Sequence, residues 1–158
     1  MHKAVSILGA LAAIGLWTGP ARAQATDDVD LVRHGRYLVQ TAGCNDCHTP
    51  GYAQAEGQVD EKLWLVGDNV GWSGPWGTTY ASNLRLFMSR HTEDSWLKVA
   101  RNFKPRPPMP WFNLHAMNER DLRALYRYIR SIGAAGDPAP DYLPPGREPR
   151  GPTIRFPG

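Results

Sequence analysis

Cys44-Asn45-Asp46-Cys47-His48 contains the only two cysteines of the chain, and it constrains the fold more than any other stretch. One helical turn with this spacing presents two sulfur atoms together and an imidazole on the next residue. That is the C-x-x-C-H pattern of covalent haem attachment, in which the sulfurs meet the vinyl edges of a porphyrin and the imidazole meets its iron. Three other readings of the cysteines compete with it. A redox Cys-x-x-Cys follows a strand and opens a helix in an α/β protein, and nothing here has βαβ patterning. A structural zinc site needs four ligands, and no second cysteine pair exists. A plain disulfide stays open in an oxidising compartment, but it leaves the histidine without a role.

The compartment is read from residues 1–23. His2 and Lys3 make a short basic start, Ala4 to Trp17 is apolar, and Ala21-Arg22-Ala23 is a small-x-small cleavage signal. This predicts a cleaved secretory signal over 1–23, export to the periplasm, and no membrane span in the mature chain, with an uncleaved N-terminal anchor as the rival. Removing 23 of the 158 residues leaves 135, enough for one domain whose core a buried haem would enlarge. The same cut removes Lys3 and Arg22, so 18 Lys and Arg become 16 against 15 Asp and Glu, and the net charge drops from +3 to about +1. So even a balance argues against nucleic acid as a partner and provides no strong steering field.

The mature chain reads as all-α with three main helices. Asp27, Asp28 and Asp30 supply N-cap chemistry, and Leu31, Gly35, Leu38, Val39 and Ala42 recur on one face, which predicts a helix over 30–42. Gly35 inside that helix marks close approach of another helix. From Thr49 to Leu84 the glycines and prolines multiply, predicting a long loop with one short strand at Lys62 to Val66. So long a loop needs a surface to pack on, and a haem supplies one. Trp64, Trp72, Trp76, Trp96 and Trp111 suit lining a porphyrin and reaching its propionates, although some of them simply pad a small core. Thr92 caps a second helix over 93–103, which stops before the stiff, extended Lys104-Pro105-Arg106-Pro107-Pro108-Met109-Pro110. Asn118 caps the last helix over 119–132, with Asp121 at N3 and Leu122, Leu125, Tyr126 and Ile129 on its apolar face. The domains are then 1–23 signal, 24–133 core domain and 134–158 extension. That extension holds seven of the 14 prolines and is an extended arm or disorder.

The second axial position of the iron decides the chemistry: methionine favours electron transfer, histidine lowers the potential, and a vacant position admits small ligands. Met88, Met109, Met117, His34, His91 and His115 are the candidates. Met109 leads them, because Pro108 and Pro110 preorder its segment and reduce the entropy lost on fixing the side chain. Met117 is better explained as a hydrophobic staple against Leu122, and Met88 lies in a turn ahead of Thr92.

Taken in order, helix, Cys44 to His48, loop, helix, Met109-Pro110 and terminal helix resemble the class I cytochrome c family over about residues 30–133. Gly77-Thr78-Thr79-Tyr80-Ala81-Ser82-Asn83-Leu84 and Leu122 to Ile132 resemble the cytochrome subunits and partner cytochromes of periplasmic dehydrogenases. The resemblance implies one haem c on Cys44 and Cys47, His48 as proximal and Met109 as distal iron ligand, and Gly35 with Val39 packed on Leu125 and Tyr128. It also implies an electron carrier rather than an enzyme, with a periplasmic dehydrogenase as donor and an oxidase or another cytochrome as acceptor. Two other function classes stay in competition: a haem enzyme or small-ligand sensor with a labile sixth ligand, and a docking subunit whose proline-rich tail wraps an oxidoreductase.

Overall fold

Gly35 and Tyr128 set the centre of the architecture, where the first and last helices cross. The computed structural model describes residues 20–157. Residues 1–19 of the expected signal lie outside the described residues, and the remaining four fall in the first helix. In chain order the helices are α1 (Pro20–Thr41), α2 (Cys44–His48), α3 (Leu84–Ser89), α4 (Glu93–Asn102), α5 (Trp111–Ala116) and α6 (Glu119–Ser131). Three short strands join them: β1 (Gly71–Gly74), β2 (Gly77–Tyr80) and β3 (Thr153–Arg155). Among the described residues no helix is long and apolar enough to cross a membrane.

The α1–α6 crossing is close enough to demand a residue without a side chain. A Cβ on Gly35 would lie 2.0 Å from the Ala124 carbonyl oxygen and 2.7 Å from Tyr128 Cβ. Gly35 meets Ala124 and Tyr128, and Val39 shares the core with Leu122, Leu125, Tyr128 and Ile129. Trp64, Leu65, Met88, Trp96, Leu97 and Ala100 complete that buried cluster. Trp96 Nε1 donates to Leu122 O at 2.8 Å, so α4 is hydrogen-bonded as well as packed onto α6.

Caps behave as sequence chemistry dictates at α4 and α6. Thr92 Oγ1 accepts from Ser95 N at 3.2 Å, and Asn118 Oδ1 accepts from Asp121 N at 2.9 Å. Met117 packs against the cluster that contains Leu122, the place its staple role requires. The start of α1 differs from expectation. Asp27, Asp28 and Asp30 lie inside the helix rather than ahead of it, and two of these carboxylates turn to cations: Asp28 to Arg127 at 3.1 Å and Asp30 to Arg33 at 2.6 Å.

The strand expected at Lys62 to Val66 is not formed. Glu61–Leu63 is a 3₁₀ turn opened by Asp60, whose side chain accepts from Lys62 N, and Leu65 turns into a positive φ. The sheet lies further on, where β1 and β2 pair antiparallel as a hairpin and β3 adds parallel to β1. The proline-rich extension is therefore an ordered arm, returning along the chain to complete a three-stranded sheet in the order β2-β1-β3.

Candidate functional site

Cys44, Cys47 and His48 share the short helix α2, which follows α1 after a turn at Ala42-Gly43. Asn45 and Thr49 tie this helix to the loop. Thr49 Oγ1 donates to Asn45 Oδ1 at 2.8 Å and accepts from Leu65 N at 2.8 Å, while Leu65 O accepts from Leu84 N at 2.9 Å. The attachment turn is thereby coupled to the start of α3 through buried polar groups.

Both cysteines are free thiols. Burial pushes the Cys44 thiol up to about 11, and burial, then the Asp46 carboxylate, raises Cys47 as well. Each therefore keeps its proton at neutral pH. His48 is buried, and its pKa is lowered by burial, opposed in part by a hydrogen bond to Ser82. The imidazole is thus neutral. Its Nδ1 lies 2.7 Å from the Ser82 carbonyl oxygen, which can only accept, so Nδ1 carries the proton and Nε2 keeps its lone pair. A backbone carbonyl that fixes the tautomer of a histidine in this way is the usual outer partner of a metal-ligating imidazole.

Met109 is half-buried in the extended segment ahead of α5, and its carbonyl accepts from Trp111 N at 2.9 Å. Its segment is fastened to β2, where Thr79 Oγ1 donates to Pro107 O at 2.6 Å. Thr79 and Ser82 stand three residues apart, so one short stretch holds His48 through a carbonyl and the Met109 segment through a hydroxyl. The other axial candidates have different roles. Met88 is a core residue, only 1% exposed, and Met117 packs on that core. His34 pairs with Asp121 at 2.7 Å, His91 meets Ser95 Oγ at 3.2 Å, and His115 Nε2 meets Phe103 O at 3.3 Å.

One further feature fits a haem. Trp72 Nε1 is buried with no hydrogen-bond partner among the described residues, a donor that a carboxylate would satisfy. Trp64 and Trp96 pad the core instead, with their N–H groups committed to Val59 O and Leu122 O. No group of three or more His, Cys, Asp or Glu side chains among the described residues could hold a metal ion by itself.

The cytochrome c family model matches residues 32–133, which takes in α1 from Val32, the attachment turn, Met109 and all of α6. The chain belongs to the cytochrome c family. Cytochrome c proteins bind haem c and generally carry electrons, and the six-helix fold with a small sheet in a loop is consistent with the class I cytochrome fold. No curated protein and no solved structure matches the chain.

Sequence reasoning missed three groups that organise this cytochrome c domain. Ser82 acts through its backbone carbonyl, which leaves no side-chain signal. Thr79 is one hydroxyl among several in a loop. Arg85 is buried and donates to Lys62 O at 2.7 Å, Gly133 O at 2.6 Å and Ile132 O. Asn83 caps α3 by accepting from Leu86 N, and an arginine two residues later is the one sequence clue to this contact.

Proposed function

We propose that this chain is a periplasmic monohaem cytochrome of the class I type that carries single electrons between a dehydrogenase and a respiratory acceptor. Cys44 and Cys47 form the thioethers, His48 Nε2 is the proximal iron ligand, and the Met109 sulfur is the distal one. The His48 Nδ1 to Ser82 O hydrogen bond carries this reading, because it orients a buried, neutral imidazole and reserves one nitrogen for a metal. When bound, the haem supplies an iron that moves between two oxidation states one electron apart. Ser82 holds His48, and Thr79 holds the Met109 segment.

Export of the first 23 residues' cargo to the periplasm is supported by the basic start, apolar run and Ala-x-Ala signal of those residues. The tail folds back onto its own sheet, which favours a free carrier over a subunit anchored by a wrapping tail. Oxidised and reduced absorption spectra of the wild type and Met109→Ala test the ligand set. The wild type should show the sulfur-to-iron charge-transfer band and the variant should lose it. Persistence of the band in Met109→Ala would rule out Met109, and rapid carbon monoxide binding by the reduced wild type would rule out a closed iron.

A further inference from the structure

We infer that the C-terminal extension, residues 134–157, is an intramolecular brace for the Lys104–Pro110 segment, acting chiefly through Tyr142 and the backbone of Leu143. The consequence for the iron rests on Met109 being its ligand; the brace itself does not.

The brace is built from contacts on both ends of the Thr78–Asn83 stretch. Thr78 N donates to Leu143 O at 2.8 Å and Leu143 N donates to Thr78 O at 3.0 Å, a two-bond bridge at the residue before Thr79. The approach is close enough that a Cβ on Gly77 would lie 2.3 Å from Leu143 O. At the other end, Asn83 Nδ2 donates to Ala135 O at 2.8 Å and Asp137 O at 3.1 Å, next to the Ser82 carbonyl that holds His48.

Tyr142 then reaches the segment directly. Its hydroxyl donates to Trp76 O at 2.8 Å, which fixes the ring against the hairpin, and Arg106 lies over that ring with its guanidinium carbon 3.7 Å from the centroid. Arg106 precedes Pro107, whose carbonyl is the acceptor for Thr79. Two consecutive residues of the segment are thus held, one by the tail and one by the strand the tail pins. Proline removes local hydrogen-bond donors from this segment, so external contacts must supply what keeps it closed. Segments of this kind open locally at a free energy set by such contacts, well below that of global unfolding.

The test uses the haem-loaded full chain as wild type, Tyr142→Ala, Arg106→Ala and Tyr142→Phe. Hydrogen–deuterium exchange is followed at the five amides of 103–111, those of Phe103, Lys104, Arg106, Met109 and Trp111, and at Thr78 and Leu143, together with the rate of carbon monoxide binding to the reduced protein. Tyr142→Ala should speed exchange across 103–111 by about tenfold, the loss of a cation–π contact combined with the loss of the ring anchor, and Arg106→Ala by about fivefold, the loss of the cation–π contact alone. Tyr142→Phe keeps the ring beneath Arg106 and should remain within about threefold of wild type. Carbon monoxide binding should accelerate in parallel with exchange. Unchanged exchange over 103–111 in Arg106→Ala, an exposed position that leaves the core intact, would overturn the brace. Faster exchange with unchanged carbon monoxide binding would uphold the brace and count against Met109 as the ligand.

Discussion

The α1–α6 crossing and the layer formed by the hairpin and the tail are stabilised by different physics. At the crossing, Val39, Leu122, Leu125, Tyr128 and Ile129 are almost completely buried, and each such side chain contributes about 1.5–3 kcal/mol by leaving water. The hairpin layer has short strands, and its stability comes from backbone pairs, single side-chain hydrogen bonds and one cation over a ring, each worth about 1 kcal/mol. A close-packed crossing resists any change of shape. A layer assembled from small, separable contacts can open in part, and the Met109 segment belongs to that layer. The crossing is thereby the rigid region, and the layer that holds the Met109 segment the adjustable one.

Gly35→Ala attacks the crossing directly and should have the largest effect. The new Cβ would sit 2.0 Å from Ala124 O, so the helices must part, and stability should fall by about 3 kcal/mol or more despite alanine's better helix propensity. Urea unfolding measures it, and a neutral result would mean that the crossing is looser than described. Next comes Arg85→Ala, because Arg85 ties the Glu61–Leu63 turn, through Lys62 O, to the end of α6. Leaving three carbonyls short of a charged donor should cost about 2–4 kcal/mol, and Arg85→Lys should recover only part of it for want of the planar fork.

Thr79→Val tests the adjustable layer. It removes the hydroxyl that holds Pro107 O, and the expected loss is about 1 kcal/mol, confined to segment opening: carbon monoxide binding about fivefold faster with the global unfolding midpoint nearly unmoved. A matching drop in global stability would erase the distinction between the two regions. The smallest effect is a pH dependence at the crossing. Burial, reinforced by a hydrogen bond to Glu61, holds the Tyr128 hydroxyl well above its ordinary value. Above pH ~10 the unfolded chain releases that proton while the folded chain keeps it, so the folded state binds more protons and stability falls as pH rises. The loss should be under roughly 1 kcal/mol at pH 10.5, and Tyr128→Phe should flatten it in a pH series of thermal melts.

Helices were legible where a local cap and a periodic face agreed. Thr92 before α4 and Asn118 before α6 each place a side-chain acceptor over the first turn, and both boundaries came within a residue or so. Gly35 was legible because a glycine in a helix interior needs an external reason. The start of α1 differs because Asp28 and Asp30 are caps by local chemistry but face cations within the helix, Asp28 the Arg127 that α6 supplies and Asp30 the Arg33 one turn along α1 itself. Short α3 and α5 were overlooked because six residues are too few to show a period. The strand was placed at Lys62 to Val66 from side-chain type, whereas the sheet formed where a turn at Gly74 to Gly77 allowed a hairpin.

Sequence by itself marked the candidate attachment motif of this cytochrome c domain, since Cys44, Cys47 and His48 lie within one turn and need no distant partner to be recognised. It also determined the stiffness around Met109, because proline restricts the backbone whatever surrounds it. Tertiary structure alone decided how those parts are held. The Ser82 carbonyl selects the tautomer of His48 across 34 residues, Thr79 pins Pro107 across 28, and the tail returns to pair with β1. Those contacts use backbone carbonyls and one ordinary hydroxyl, groups nearly every residue or many residues carry, so only their meeting in space gives them a role.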